Sequence, residues 1–477
     1  MRTALSVMAI LIVLGSHPPL SAQEEKIEEI PPSVPTAQPA SAIPSSLDDR
    51  LQAIERQMRD TEEEQRRLVE ENKALDGKKP DPVSPKEKEK KAIEFAPYGF
   101  IEMIGWANDS LFVGNDLPLY VIDRGQSTTG VTAKGSRLGT KILFPRLDAV
   151  TLTATLEVDF VANMADTGYA ESYPGVRLRH AVMDLSKTWG DSTLGFKAGQ
   201  TWATALPNIF PALINPACGW GIGNIWQRMP LAEIYFTQRF AQTFAFTTQI
   251  AAARAMTGAS SNRNSFLEVN IDAGDASHIP QLHGQLSLTG RFSDIDLLFA
   301  VGGAWGRENY KSGVNLNKKE TKYVGGMTDV GLIVSSLKLS HQYAEVAGKF
   351  FWGQNLDTFG VFGGSLITEE IDATTRRVTG SQRALGWWTQ LTMKPLKELA
   401  LHVGYSSEDP DEEQAGAAPL YFNNDALWVS AFYTFFERLT IGFQWIQMQT
   451  HDIKLAGAPA RRSMTGNTIM GSAKLTF

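Results

Sequence analysis

The sequence predicts an all-β fold, a 16-stranded antiparallel transmembrane β-barrel preceded by a short periplasmic coiled-coil helix. Three observations carry this expectation. The first 22 residues have the order of a secretory signal, the chain from Phe95 onward alternates with a period of two, and its connections alternate short and long. After the signal there is no run of 18 apolar residues, so a helical membrane span is excluded.

The amino terminus reads as basic Arg2, the apolar run "ALSVMAILIVLG", helix-breaking Pro18 and Pro19, then small residues up to a cleavage site after Ala22. That apolar run is short of the roughly 20 residues a spanning helix needs, so it is read as a signal peptide, residues 1–22. Residues 23–46 are proline-rich and nearly free of large apolar side chains, which predicts an extended linker. Over 47–77 the positions 47, 51, 54, 58, 61, 65, 68, 72 and 75 follow a heptad and six of the nine are apolar, which favours a coiled coil over a solitary amphipathic helix. Gln65 and Asn72 in that seam fix register rather than add stability. A charged linker follows over 78–94, and the barrel is expected over 95–477.

Sixteen stretches then alternate apolar and polar, the clearest being "AVTLTATLEVDF", where Leu152, Ala154, Leu156, Val158 and Phe160 oppose Thr151, Thr153, Thr155, Glu157 and Asp159. Seven short links lie near 145–149, 187–192, 240–242, 291–294, 335–337, 394–398 and 436–438. Eight long ones alternate with them, at 107–135, 161–175, 204–230, 255–279, 306–322, 348–382, 407–424 and 450–467. Even parity with tight turns on one side and long loops on the other is the plan of an outer-membrane barrel. The last strand, "NTIMGSAKLTF", ends on Phe477, and the first, "YGFIEMIGW", is expected to close it, since hydrocarbon leaves no backbone group to water. Phe477 also resembles the terminal signal read by the outer-membrane assembly machinery.

Strand parity selects the inward charges. A charge facing lipid at mid-depth costs about 2–4 kcal/mol, so charged residues opposite an apolar face are assigned to the lumen. These are Arg137 and Lys141, Glu157 and Asp159, Arg177 and Arg179, Lys197, Glu233 and Arg239, with Asp294, Asp296 and Lys474. Parity is ambiguous where Glu102 shares a face with Phe100 and Trp106, and in "RALGWWTQLTM", which is bulky on both faces; a neighbouring subunit is one explanation. The third long loop, "TALPNIFPALINPACGWGIGNIWQRM", is apolar and has Arg228 as its only charge. Such a loop is anomalous if exposed, so Phe210, Trp220, Trp226 and Arg228 are expected in a constriction inside the barrel. The arginines either select anions or pair with Glu157 and Asp159 and set only a transverse field.

Other chemistry is poorly supported. Cys218 is the only cysteine, the seven histidines show no metal-ligand spacing, and no cofactor or metal is expected. A net charge of −7 gives no sign of nucleic-acid binding, and Ser, His and Asp form no recognisable catalytic motif. "EDPDEE" at 408–413 lacks the glycine and spacing of a calcium loop and is read as solvated.

With its export signal and coiled coil, and with "YGFIEMIGW", "SRLGTKILFP", "RLRHAVMDL" and "KAGQTWAT", the chain resembles the DcaP-like porins of Gram-negative bacteria over residues 47–477. The resemblance implies a homotrimer in the outer membrane, in contact with its lipids and lipopolysaccharide, that passes small anionic solutes such as dicarboxylates and aromatic acids by diffusion. It also implies that the periplasmic coiled coil assists the trimer. A tether in which the barrel only anchors the coiled coil to peptidoglycan is the alternative. A chain truncated to begin near Phe95 should stay trimeric in native gels but dissociate at lower temperature; stable monomers would contradict this division of labour.

Overall fold

The computed structural model describes residues 92–114, 116–123, 125–163, 174–214, 219, 221–240, 243–254, 277–317, 320–359, 383–410, 423–453 and 462–477. The expected signal, proline-rich linker, coiled coil and most of the charged linker lie outside the described residues.

Nineteen strands follow in order: β1 Glu94–Asn108, β2 Leu111–Phe112, β3 Val121–Asp123, β4 Thr128–Thr132, β5 Arg137–Leu143, β6 Val150–Asn163 and β7 Pro174–Trp189. Then come β8 Ser192–Trp202, β9 Arg228–Phe240, β10 Phe244–Ala253, β11 Gln281–Phe292, β12 Ile295–Asn317 and β13 Glu320–Ser340. The set ends with β14 Ala344–Gln354, β15 Arg383–Met393, β16 Leu399–Pro410, β17 Asn423–Phe435, β18 Leu439–Ile453 and β19 Arg462–Thr476. β2 and β3 form a separate small hairpin inside the first loop. β4 and β5 both pair with β1 and are two halves of one stave, interrupted at residues 133–136. Setting the hairpin aside and counting that stave once leaves 16 staves, all antiparallel.

The last strand is closed by the first, as the alternation requires. β1 and β19 pair from Phe100↔Thr476 to Asn108↔Thr468. Gly99 and Phe477 exchange both backbone hydrogen bonds at 3.1 Å, which carries the ladder to the final residue. A Cβ at Gly99 would lie 2.4 Å from the Arg137 carbonyl oxygen of β5 and 3.0 Å from the Phe477 ring, so β1 needs glycine where both neighbours approach the seam.

Exposure separates the two faces. Along β1, Ile101 and Met103 are exposed while Glu102, Ile104 and Trp106 are buried, so the doubtful face is the lumen and no neighbouring subunit is needed to explain it. In β15 the adjacent tryptophans split, with Trp388 buried inside and Trp387 against Tyr405 on an outward face.

Three departures from the sequence expectation occur. The short link expected at 335–337 lies inside β13, and the chain turns at 341–343 instead. The link expected at 306–322 is instead a ladder, β12–β13, that continues in register to Asn315↔Thr321 and pairs on to Asn317↔Glu320. An Arg307–Asp329 ion pair at 2.9 Å ties the two strands where the extension begins. Above the hydrocarbon there is no lipid face to impose alternation, so the pattern stops before the pairing does. In β7 the register slips between Glu157↔His180 and Val158↔Leu178, leaving Arg179 as the extra residue of a bulge. The bulge shifts the phase, so Arg177 and His180 both oppose lumen acids while Met183 and Leu185 are exposed on the outer face.

Much of the interior is filled. The third long loop, residues 203–227 and called loop 3 below, runs inside the barrel, and Ala203, Ala205, Leu206, Ile209, Leu213, Ile214, Ile222 and Ile225 are buried. One cluster joins Ile209, Leu213, Ile214 and Ile222 to Trp388, Trp428, Ile446 and Met448 of the wall, and to Phe112 and Val121 of the first loop. A second joins Leu206 and Ile225 to Val330, Leu332, Val334 and Phe351, with Leu356 and Phe359 after β14. The apolar loop thus sits dry against the wall of the later strands.

Gly99→Ala should strain the seam by about 1–3 kcal/mol without altering the interior, read as a lower unfolding temperature of the folded barrel. An unchanged temperature would mean that the seam can give.

Candidate functional site

Loop 3 needs partners for its own backbone, since a dry segment cannot leave amides and carbonyls bare. The wall supplies them as side chains. The Ala212 amide donates to Gln390 Oε1 at 2.8 Å and the Ala212 carbonyl accepts from Ser430 Oγ at 2.9 Å. The Ile214 amide donates to Gln444 Oε1 at 2.7 Å, and the Gly223 amide to Glu408 Oε2 at 3.3 Å. Lys349, almost wholly buried, donates to the Ile225 carbonyl at 3.0 Å, and Gln285 donates to that of Thr204 at 2.7 Å. Glycine allows close seating: a Cβ at Gly302 would lie 2.1 Å from the Ala205 carbonyl oxygen. Glu408, expected in a solvated acidic loop, is instead fully buried at the end of β16 and holds loop 3, because β16 reaches Pro410 and its even positions face inward.

With loop 3 packed against the later strands, the open side of the lumen is lined by β5–β11. Its upper part, towards the long loops, is a guanidinium–carboxylate cluster. Arg177 grips Asp159 with both arms, at 3.0 and 2.7 Å. Arg179, buried at the bulge, bridges Glu157 at 2.5 Å and Asp159 at 2.7 Å. Arg137 lies 3.5 Å from Glu157, and the Tyr98 hydroxyl donates to Glu157 Oε2 at 3.0 Å. The wall arginines are therefore paired, as one of the two sequence expectations had it. Glu102, buried on the lumen face of β1, also acts on Arg137, so three guanidiniums meet three carboxylates.

Loop 3 brings a fourth cation and no acid. Arg228, where loop 3 passes into β9, stacks over Trp202 at 4.6 Å and Trp226 at 5.1 Å, and among the described residues no carboxylate lies within ion-pair distance. Trp202 also meets Phe210 at 5.1 Å and His180 edge-on at 5.6 Å. Phe210 lies under the Lys349 ammonium at 5.1 Å. Trp220 lies outside the described residues.

Further along, a cavity of about 250 Å³ is lined by Thr155, Asp184, Lys197, Thr201, Trp202, Thr204, Asn208, Glu233 and Gln249, among others. Glu233 is buried and accepts from Lys197 at 2.9 Å, Thr204 at 2.6 Å and Gln249 at 3.0 Å. Asn208 also lines a wider cavity of about 730 Å³ that reaches Thr243, Arg291 and Ser340 near the short turns. Of the remaining expected residues, Lys141 stands exposed on the Arg137 face, and Arg239 is exposed at the short-turn end of β9, apart from the cluster.

Sequence reasoning missed Tyr98, His180, Asp184, Trp202 and Gln249. Parity with Glu233 along β9 could have found Tyr235, which donates to Asp184 at 2.8 Å. His180 was hidden by the bulge.

An apolar outer face, a charged lumen and a loop folded into it define a membrane-spanning barrel of the outer-membrane porin fold. The outer-membrane channel DcaP of Acinetobacter baumannii shares it with a TM-score of 0.58 and 17% identity, covering 82% of this chain and 99% of that one. An anion-selective porin from Comamonas acidovorans matches with a TM-score of 0.50 and 11% identity, covering 81% and 100%. No protein-family model and no curated protein sequence matches the chain.

Asp159→Ala would strip both arms of Arg177 and one contact of buried Arg179. Leaving buried charge uncompensated should cost about 3–5 kcal/mol, measurable as a lower denaturant midpoint. No loss would mean that the cluster is hydrated and loosely held.

Proposed function

We propose that the protein is an outer-membrane porin, a passive diffusion channel for small hydrophilic solutes that favours anions such as dicarboxylates. The observation that carries this reading is the charge of the upper passage, where four guanidiniums, Arg137, Arg177, Arg179 and Arg228, face three carboxylates, Glu102, Glu157 and Asp159. The solute path lies between loop 3 and the β5–β11 wall, then through the cavity at Asn208, which β12, β13 and β14 also line, to the short-turn mouth. A net-cationic lining in a narrow passage with low-dielectric walls raises the local concentration of anions. Pairing holds the wall arginines in place and offsets their charge locally. Arg228 carries most of the remaining selectivity, because indole faces hold it without neutralising it. Selectivity among the expected pore-lining residues is thus graded. Arg228 acts most directly, Arg137, Arg177 and Arg179 act as a group, and Lys197 is offset by Glu233.

The working form is a homotrimer inserted by the outer-membrane assembly machinery through the Phe477 signal, surrounded by outer-membrane lipids and lipopolysaccharide. No catalytic step is assigned. The anion-selective porin of the same fold is compatible with this reading, which rests on the charges of this lumen.

Arg228→Gln tests it in a planar bilayer under a salt gradient. One unit charge at about 4 Å is worth about 1 kcal/mol in water, which corresponds to roughly a fivefold fall in the anion-to-cation permeability ratio. Neutralising Arg137, Arg177 and Arg179 together should shift the reversal potential the same way and slow a dicarboxylate more than a neutral sugar. A folded wild-type protein that passes no current would refute the porin reading, and unchanged ratios in both variants would refute its anion preference.

A further inference from the structure

One row of lumen side chains does something the anion path does not require. Glu408, Asn424 and Thr450 are register partners across β16, β17 and β18, and all three are fully buried. A polar row in a dry interior must be spent on partners, and these partners are the backbones of two different loops. Asn424 Nδ2 donates to the Gly221 carbonyl of loop 3 at 2.9 Å and to the Leu119 carbonyl of the first loop at 2.7 Å. Its Oδ1 accepts from Thr450 Oγ1 at 2.8 Å, and the same hydroxyl accepts from the Val121 amide at 2.9 Å. Glu408 holds Gly223 beside them. Both donor hydrogens of the carboxamide are thereby engaged, one on each loop, and Thr450 fixes its orientation.

The other wall anchors differ in kind. Gln285, Lys349, Gln390, Ser430 and Gln444 each grip loop 3 alone. Asn424 is hydrogen-bonded to both loops. Apolar packing repeats the link, since Val121 and Ile222 are fully buried in one cluster with Ile446 and Met448.

We propose that Asn424 is a positioning residue for the constriction, a clasp through which the first loop and loop 3 are seated on the wall as one unit. On this view the first loop, whose described residues add no charge to the arginine cluster, sets the width of the passage by holding the far leg of loop 3 away from it. The inference rests on the porin reading for its functional meaning, but the coupling of the two loops does not depend on conduction.

Amide hydrogen exchange of the folded protein in detergent micelles tests the coupling directly. In Asn424→Ala, the segments around Val121 and around Ile222 should both exchange faster, by roughly tenfold or more for the loss of two buried hydrogen bonds. Gln444→Ala, which touches loop 3 only, should leave the Val121 segment as it was. If Asn424→Ala does not fold, Asn424→Asp keeps the acceptor for Thr450 but loses both donors, and should show the same joint acceleration. Acceleration of one segment alone, or of neither, overturns the proposal. In bilayers, the open-channel current of Asn424→Ala should fluctuate more than that of wild type; equally quiet currents would overturn the assignment to the constriction. A silent wild type would instead speak against the porin reading and leave the exchange result to judge the clasp.

Discussion

Every backbone amide and carbonyl that crosses hydrocarbon must be paired within the protein, and the rest of this structure follows from that constraint. It forces closure of β1 on β19 and carries the ladder to Phe477, where Gly99 supplies the last two bonds. Closure creates an interior, and the interior in turn must be filled or wetted. Loop 3 enters it with an apolar sequence and with amides and carbonyls that meet the same requirement a second time. The wall answers with side chains rather than with another strand: Gln390, Ser430, Gln444, Glu408, Asn424 and Lys349 stand where a neighbouring strand's backbone would.

The seating of loop 3 divides the lumen by chemistry. On the β13–β19 side, tryptophans, methionines and branched aliphatic residues exclude water and hold the loop. The β5–β8 side stays polar, with its arginines organised by Glu157 and Asp159. Those two acids have a double effect. They remove charge from the passage, and they fix three long flexible side chains that would otherwise lose their geometry to rotamer entropy. The surplus comes from Arg228, stacked on indoles, where attraction to the ring faces needs no counter-ion.

How much of this was legible depends on what each residue faces. The centres of the strands were, because lipid on one side imposes alternation: Leu156 and Val158 against Glu157 and Asp159 could be assigned without coordinates. The strand ends were not, and residues 306–322 of the β12–β13 ladder look like a loop in sequence because Tyr310, Val314 and Leu316 stand among charged, polar and glycine residues without a sustained alternation. The inward course of loop 3 could be expected from an apolar stretch without carboxylates. The residues that hold it could not, since a polar side chain on a lumen face looks the same in sequence whether it meets water or a loop's carbonyl. Asn424, Gln444 and Glu408 are of this kind. Arg179 shows a third limit, for a bulge alters parity without a sequence marker, and it brought His180 into the site unseen.

The central claim is that solutes pass on the arginine side of loop 3 and not behind it, and single-cysteine block of channel current measures this most directly. In a background with Cys218 replaced by serine, a cysteine at Thr155 faces the proposed path, and one at Ala347 lies on the inner face of β14, buried in the loop-packed half of the lumen. A bulky charged thiol reagent should cut the current through the Thr155→Cys channel and leave the Ala347→Cys channel unaffected. Block at Ala347→Cys with none at Thr155→Cys would contradict the path.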